Sequence, residues 1–338
     1  GDESKRAYAN TNIRDTEMIN GMDRISGDLN DFWEGRDYLN QMAPMKAALL
    51  MSHGFNDWNV MPEHSYRIYK KAQEMGLPTQ IYYHQNGHGG PPPLKMMNRW
   101  FTRYLHGVEN GVEQDARAWI VREADKPENP TAYPEYPNPD ASPVTLHLSP
   151  GAPGHGSLST GKQGNQGRET LVDNYSFDGS ALARAEYTSH RLMYVTPTRT
   201  KDLHISGIPG ITVTLASSKP AANLSVWLVS LPWNQGRGTR ITDNIITRGW
   251  ADPQNHRSLR ESTPLEKGKF YTVSFDLMPD DQVIPKGQTT GLMIFSSDRE
   301  VTLQPAPGTA RTIDLDATDQ QLPVVGGQAA LENAVQQN

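Results

Sequence analysis

The sequence contains no cysteine among its 338 residues. Disulfide bridges, cysteine-based zinc sites and a cysteine nucleophile are therefore excluded. The absence of cysteine is also compatible with a reducing cytosol, and we expect a cytoplasmic protein. Basic residues are not in excess either, because 32 Lys and Arg stand against 38 Asp and Glu, which gives a net charge of −6. Nucleic-acid-binding surfaces usually carry a basic face, so we expect no nucleic-acid partner.

Long apolar runs are absent as well. The run Ala47–Met51 is one of the longest clean ones, whereas a membrane-spanning helix needs about 20 apolar residues. We therefore expect no membrane partner, and no signal peptide is visible. The first residue is Gly1 rather than methionine, so we expect the chain to be an internal part of a longer protein. Its length and its apolar content of 36% suffice for two packed domains.

The first 125 residues alternate between helical and strand patterns. A polar segment with apolar residues on one side predicts helices over residues 1–45, with Ser26 or Asp28 as the N-cap of the second helix. The pattern then predicts a strand, a helix, a strand and a helix, over residues 46–52, 62–75, 78–84 and 93–106. In the last helix we expect these residues to face inward: Leu94, Met97, Trp100, Phe101, Tyr104 and Leu105. Such alternation with short links predicts a parallel sheet, so residues 1–125 are assigned to an α/β domain.

Beyond residue 125 the helical pattern disappears. Residues 126–143 are rich in proline and polar side chains and are interpreted as an interdomain linker. Residues 144–338 carry short alternating segments separated by turn residues, which predict an all-β domain, an antiparallel sandwich or jelly roll. The predicted strands are Val144–Leu148, Glu186–Val195, Leu203–Ile205, Ile211–Ala216, Leu224–Leu231, Ile241–Thr247, Phe270–Leu277, Leu292–Phe295 and Val301–Leu303. We expect a long loop over residues 149–168 and a short helix after Gly327.

Two polar loops that follow the predicted strands of the first half carry the candidate chemistry. His53–Val60 includes Asp57, and Gln85–Gly90 includes His88. The carboxyl ends of neighbouring parallel strands lie at one edge of a sheet, so we expect this carboxylate and this imidazole to meet. In α/β-hydrolases the triad residues follow one another along the chain in the order Ser, Asp, His, so an acid followed by a histidine matches the last two members. We therefore predict that Asp57 orients His88 and that His88 acts as the general base.

Each candidate also has a purely structural interpretation. Asp57 is also explained as a turn or cap residue, and His88 as an exposed polar residue in a glycine loop. Trp58 is expected to pack in a hydrophobic seam. Asn59 and Val60 are candidates for contact with the substrate, because small-molecule pockets combine apolar walls with a few polar groups.

A triad also needs a nucleophile, and the sequence has no Gly-x-Ser-x-Gly motif. His155–Ser159 lacks the preceding strand and following helix of a nucleophile elbow, and Ser157 would reverse the chain order of the triad. We expect the nucleophile and the oxyanion hole upstream of Gly1. A zinc site formed by His53, His84 and His88, with Asp57 as the fourth ligand, is disfavoured. An extended chain would separate His84 from His88 by roughly 13 Å, which is too far for one ion. No metal and no other cofactor are predicted.

The segment Arg248–Arg257 is dense in polar and aromatic residues. It is compatible with binding of a sugar or a peptide, and also with an ordered loop that packs against the first half of the chain. We favour the packing interpretation, because the composition of one loop does not assign a site.

Four segments, in chain order and spread over nearly the whole length, resemble the Xaa-Pro dipeptidyl-peptidases of the S15 serine peptidases. They are Ser52–Val60, Tyr83–His88, Arg248–Asn255 and Gly291–Asp298. The resemblance implies the C-terminal part of an α/β-hydrolase sheet followed by a jelly-roll β-sandwich. It implies release of N-terminal Xaa-Pro dipeptides, with Asp57 as triad acid and His88 as base.

The partners implied by this resemblance are a peptide with proline at its second position and the missing N-terminal part of the same protein. The oligomeric state is left open, a homodimer included. Two other functions stay open at this stage: an acylase or ester hydrolase of the same family, and a non-catalytic carbohydrate-binding fragment. Because the serine has no counterpart here, we expect this chain alone to be inactive.

Overall fold

Two sheets organise the described part of the chain, which in this computed structural model comprises residues 2–234, 244–304 and 306–335. The first sheet contains β1 (Leu49–Gly54), β2 (Thr79–His84), β3 (Ala118–Ile120) and β4 (Thr131–Tyr133). The second sheet contains β5 (Ala141–Ser149), β6 (His155–Ser159), β7 (Arg168–Val172), β8 (Arg191–Val195), β9 (Leu203–Gly207), β10 (Gly210–Ser217), β11 (Leu224–Leu231), β12 (Ile245–Ala251), β13 (Phe270–Asp276), β14 (Asp280–Ile284), β15 (Thr289–Phe295), β16 (Ala310–Asp314) and β17 (Asp319–Val325).

Helices lie mainly in the first half. The α-helices are α1 (Glu3–Ala9), α2 (Ile19–Gly21), α3 (Asp31–Glu34), α4 (Pro62–Glu74), α5 (Leu94–His106), α6 (Gly179–Arg184) and α7 (Gly327–Val335). A π-helix covers Asn10–Met18, and 3-10 turns cover Tyr38–Gln41, Val112–Gln114, Pro253–Asn255 and Leu315–Ala317. Among the described residues no helix combines the length and the apolar character needed to cross a membrane.

The first sheet has the predicted α/β arrangement. Strands β1, β2 and β3 run parallel, and β4 pairs antiparallel with β3. Helix α4 begins at Pro62, and proline is tolerated in the first turn because an N–H there has no partner within the helix. Gly76, which follows the helix, has a φ of 72°. Tyr69 of α4 is buried in one apolar cluster with Ile81 and Tyr83 of β2. In the described part of the chain β1 has a partner strand on one side only.

Helix α5 buries less of its surface than its sequence predicts. Trp100 is buried, but Leu94, Phe101 and Leu105, which were expected to face inward, are 78%, 50% and 72% exposed. The helix ends as expected at Gly107, which has a left-handed φ of 70°. Hydrophobic periodicity identifies an apolar face, but it does not say how much of that face a narrow sheet covers.

The N-terminal segment follows its prediction only in part. It is helical in short pieces, but Ile19 and Ile25 are exposed, so the predicted apolar side is not packed against the described residues. The N-cap of α3 is Asn30, whose side chain accepts two N–H groups of the first turn, rather than Ser26 or Asp28. The carboxylate of Asp28 is engaged elsewhere, since it accepts bonds from a loop of the second half.

The proline-rich segment 126–143 is folded into the molecule rather than forming a free linker. Its residues include β4, which belongs to the first sheet. Tyr136 is fully buried beside Phe55 and Tyr83, and its hydroxyl donates to the carbonyl of Asp280 at 2.9 Å. Aromatic side chains in this segment therefore bring the two sheets together. The domain limits drawn on either side of it stay a prediction.

The second sheet is antiparallel except for the parallel pair β6–β8. Its strands follow the order β12–β11–β15–β8–β6–β5–β17–β10–β16–β7, with β13 beside β10, and β9 between β14 and β17. Alternate apolar residues of these strands form the largest core cluster of the described chain. This is the predicted all-β region, whereas its description as a jelly roll stays a prediction.

Some elements of the second half differ from those predicted. Val301–Leu303 does not form a strand, because the first two N–H groups of this segment turn back onto the carbonyl of Asp298. Residues 149–168, predicted as a loop, contain β6, and β14, β16 and β17 were not predicted, since polar residues occupy many of their positions. The first three residues of the predicted strand Ile241–Thr247 lie outside the described residues. The helix after Gly327 is confirmed as α7.

Candidate active site

The two polar loops lie side by side at the carboxyl ends of β1 and β2. The N–H of Phe55 donates to the carbonyl of His84 at 2.9 Å, and the N–H of Asn56 donates to the carbonyl of Asn86 at 3.2 Å. Gly54 ends β1, and a side chain there would collide with the backbone of Asn86. Glycine at this position therefore allows the loops to touch, so the side chains that follow them are held close together.

Asp57 is the buried acid of this pair. Its side chain is 3% exposed, and its Oδ2 accepts a bond of 2.8 Å from Nδ1 of His88. Its Oδ1 accepts the N–H groups of Asn59 and Val60, each at 3.0 Å. Burial raises the pKa of Asp57, but the N–H of Val60, the imidazole of His88 and the N–H of Asn59 lower it by more. With a further contribution from the charge of His53, the pKa of Asp57 lies below its ordinary value, which favours the carboxylate.

His88 is the exposed partner. Its side chain is 69% exposed, and it lies in a loop in which Gly89 and Gly90 have φ values of 92° and 104°. An ionised Asp57 is an acceptor only, so Nδ1 of His88 carries the proton of their bond. The other ring nitrogen, Nε2, is then the basic one, and it is free to accept a proton from a group that approaches from outside.

A second histidine supports the acid and was not assigned this role from the sequence. Nε2 of His53 lies 2.8 Å from the carbonyl oxygen of Val60 and 3.3 Å from Oδ2 of Asp57. Both of those atoms are acceptors, so Nε2 of His53 carries a proton, and Nδ1 bonds to the hydroxyl of Ser65 in α4. The only sequence signal was the spacing of four residues to the acid, which is too common to assign a role.

A third histidine fixes the glycine loop. His84 is buried, and its Nδ1 accepts the N–H of Asn86 at 3.2 Å. Burial lowers the pKa of His84, which favours the neutral ring. A side chain added at Gly90 would come within 2.6 Å of Nε2 of His84. In the described residues no three His, Cys, Asp or Glu side chains are placed to share a metal ion.

An open cavity of about 490 Å³ lies beside the acid and the base. Ser52, Val60 and Pro92 line it together with Asp57 and His88. Of the two predicted substrate contacts, Val60 is thus placed at the cavity, whereas Asn59 contributes its N–H to the acid and is not among the lining residues. Their contact with a substrate stays a prediction.

No hydrogen bond joins a serine to His88 in the part of the chain that the structure describes. The hydroxyl of Ser52 donates to the carbonyl of Gly90 at 2.9 Å, and Ser65 is bonded to His53. Ser157 lies in β6 of the second sheet, where it pairs with β5 and β8. The arrangement therefore supplies an acid and a base without a nucleophile among these serines.

The segment Arg248–Arg257, which contains the end of β12 and the turn after it, packs against the first half of the chain, as favoured from the sequence. The guanidinium of Arg248 lies 4.3 Å from the ring centroid of Trp58, next to the buried acid. Asn255 donates to the carboxylate of Asp28 at 2.8 Å, and Arg260 forms an ion pair with Asp31. These contacts use polar side chains that a carbohydrate-binding loop would present to solvent.

Two solved structures of similar fold are an aminopeptidase and an ester hydrolase. An aminopeptidase of a Thaumarchaeota archaeon from marine sediment aligns over 92% of this chain and 61% of its own, with a TM-score of 0.71 and 14% identity. An α-amino acid ester hydrolase aligns over 94% of this chain and 62% of its own, with a TM-score of 0.68 and 15% identity. At such low identity the likeness shows the fold alone, which is that of these hydrolases.

The sequence comparisons identify the family. Residues 2–90 match the X-Pro dipeptidyl-peptidase (S15 family), and residues 110–336 match the X-Pro dipeptidyl-peptidase C-terminal non-catalytic domain. A "Putative Xaa-Pro dipeptidyl-peptidase" of Rhodopirellula baltica is 59% identical over 98% of this chain and 53% of its own length. A protein of the same description from Bacillus anthracis is 34% identical over 91% of this chain and 50% of its own. The chain belongs to the X-Pro dipeptidyl-peptidase family, and it spans about half the length of these relatives.

Proposed function

We propose that this chain is the acid-and-base part of a serine exopeptidase that releases Xaa-Pro dipeptides from the N-termini of peptides. The observation that carries the proposal is the 2.8 Å bond from Nδ1 of His88 to Oδ2 of the buried Asp57. This bond leaves the other ring nitrogen, Nε2, available as a base, and His88 lines an open cavity. Family membership and the names of the relatives support the choice of substrate.

In this proposal the serine hydroxyl comes from an upstream part of the protein. His88 takes the hydroxyl proton as the serine oxygen attacks the carbonyl carbon of the proline, and it then gives that proton to the departing amine of the next residue. A water molecule, deprotonated by His88, next attacks the acyl-enzyme, and His88 returns that proton to the serine oxygen as the dipeptide leaves. Asp57 keeps the ring in the tautomer with the proton on Nδ1 and stabilises the charged imidazolium.

The unpaired edge of β1 supports a docking place for that upstream part. Within the described residues β1 pairs only with β2, and Leu49, Leu50 and Met51 of β1 are only half-buried. A free edge presents unpaired N–H and C=O groups that another strand can complete. We infer that the upstream part adds a strand beside β1, with its serine at the same carboxyl edge as Asp57 and His88.

Hydrolysis of Gly-Pro-p-nitroanilide tests the proposal. The protein with its upstream part should release p-nitroaniline, and the 338-residue chain alone should not. Turnover by the chain alone would show that the nucleophile lies within it. A preference of the longer protein for a simple aryl ester over the Gly-Pro amide would instead support an ester hydrolase of the same family.

A further inference from the structure

Arg248 is held between two tryptophan rings, one from each half of the chain. Its guanidinium carbon lies 4.3 Å from the ring centroid of Trp58 and 4.3 Å from that of Trp227. Arg248 is 6% exposed, and Trp227 is its direct neighbour across the antiparallel pair β11–β12. A buried guanidinium stacked on aromatic faces is strongly attracted to them, because little water competes for the charge.

The second-half side of this stack is fixed by further contacts. The indole N–H groups of Trp227 and Trp250 both donate to Oδ2 of Asp298, at 2.9 and 3.0 Å. Asp298 is itself 1% exposed. Gly179 of α6 lies so close to the ring of Trp227 that any side chain at this position would collide with it. The second-half residues around Arg248 are therefore held firmly in place, and Arg248 contacts Trp58 from a fixed position.

Trp58, in contrast, is positioned by stacking and packing. Its indole N–H is buried and has no hydrogen-bond partner among the described residues. Apart from Arg248, its surroundings are an apolar cluster of the second half that includes Met293 and Phe295. No polar contact of the ring would hold it in place if the stack were lost.

The position of Trp58 matters because it lies within the turn that holds the acid. Asp57 precedes it, and the N–H groups of Asn59 and Val60 after it donate to Oδ1 of Asp57. We propose that Arg248 is a positioning residue for the acid–base pair: it fixes Trp58 and through it the backbone turn that orients the Asp57 carboxylate. The effect of Arg248 on catalysis rests on the proposed function, whereas its effect on the position of Trp58 and the turn does not.

Amide hydrogen exchange of Asn59 and Val60, followed by NMR in the 338-residue chain, tests the positioning. Arg248→Met removes the charge, and Arg248→Lys keeps the charge but loses the planar stack. In both variants these two amides should exchange about tenfold faster, a factor between those expected for the loss of an exposed and of a fully desolvated cation–π contact. The amide of Val121, bonded to the carbonyl of Tyr83 in the first sheet, should not change.

Arg311→Lys is the matched control. Arg311 is as deeply buried as Arg248, but its guanidinium donates to the carbonyls of Asn223 and Thr309 in the second half. This variant should leave the Asn59 amide at its original rate. Unchanged exchange in both Arg248 variants would overturn the proposal, and so would an equal acceleration in Arg311→Lys, which would indicate a general loss of stability.

A kinetic measurement separates this inference from the proposed function. In the protein with its upstream part, Arg248→Lys should lower kcat for Gly-Pro-p-nitroanilide about tenfold and leave KM unchanged, because Arg248 does not line the cavity beside Asp57 and His88. If that protein has no activity but the Asn59 and Val60 amides still depend on Arg248, the proposed function fails and the positioning role stands. An unchanged kcat together with unchanged amides would remove the positioning role alone.

Discussion

Two aspartates of this protein, Asp57 in the first half and Asp280 in the second, are equally buried at 3% exposure but have opposite surroundings. Asp57 has donors on both carboxylate oxygens, and its pKa lies below the ordinary value. Burial and the neighbouring carboxylate of Asp281 raise the pKa of Asp280 well above its ordinary value. Oδ2 of Asp280 has no hydrogen-bond partner among the described residues.

The comparison shows that burial alone does not decide the charge of a carboxyl group. At Asp57, backbone N–H groups and a histidine stabilise the ionised form by more than burial costs, whereas at Asp280 burial and the carboxylate of Asp281 favour the neutral form. Asp57 is thereby kept as a carboxylate, which a triad acid needs. Asp280 is favoured as a neutral acid at the junction of the sheets, where Tyr136 donates to its carbonyl.

Exchanging each acid for its amide should give the largest difference between the two sites. In the protein with its upstream part, Asp57→Asn should lower kcat by about 10⁴-fold, since an amide no longer holds the histidine in the working tautomer. Asp280→Asn resembles the neutral acid and should leave kcat for Gly-Pro-p-nitroanilide unchanged. Equal losses in both variants would contradict a special role for Asp57.

The loop of the base offers a second contrast, between adjacent glycines. Gly90 and Gly89 both have positive φ, but only at Gly90 would a side chain meet another group, the ring of His84. Gly90→Ala should therefore lower the free energy of unfolding by more than Gly89→Ala does. We expect the difference to be about 1–3 kcal/mol in urea unfolding of the chain, the range of a strained site. Equal effects would show that only the backbone conformation matters.

The pH dependence of stability should have opposite signs for the two acids. The folded pKa of Asp57 is below its unfolded value of about 3.9, so its stabilising effect is present above that value and is lost as the pH falls through the folded pKa. The folded pKa of Asp280 is raised, so its contribution is present below about pH 3.9 and is lost as the pH rises towards the folded pKa.

Urea unfolding of the chain at several pH values measures this difference. Relative to the original protein, Asp280→Asn should become more stable as the pH is raised above about 4. In the original protein the unfolded chain is then favoured, because its Asp280 ionises while the folded one keeps its proton, and asparagine cannot ionise in either state. In Asp57→Asn, the part of the stability that the original protein loses at low pH through protonation of Asp57 should no longer be lost. The same pH profile in both variants would contradict the opposite surroundings of the two carboxyl groups.

The sequence predicted the meeting of Asp57 and His88 because that meeting depends on local features. Two apolar strands joined by one helix lie parallel, so the loops after them must share an edge. The helix α4 was equally predictable, from Pro62 at its start and Gly76 after its end. Their roles in catalysis stay a prediction.

What the sequence did not predict depends on contacts between distant segments. The contact of His53 with the acid and the stack of Arg248 on Trp58 join side chains that no periodic pattern relates. The exposed face of α5 and the polar strands β14 and β17 were missed for the same reason. Neighbouring elements determine which face of a helix is buried and which segments pair as strands. The residue types alone predict such contacts poorly, because the contacts depend on how the fold brings distant segments together.

The most direct test of the acid–base pair is the turnover of Gly-Pro-p-nitroanilide by the protein with its upstream part after His88→Ala. We predict that activity is abolished while the free energy of unfolding is almost unchanged, because the His88 side chain is 69% exposed. Substantial turnover by this variant would contradict the role of His88 as the base.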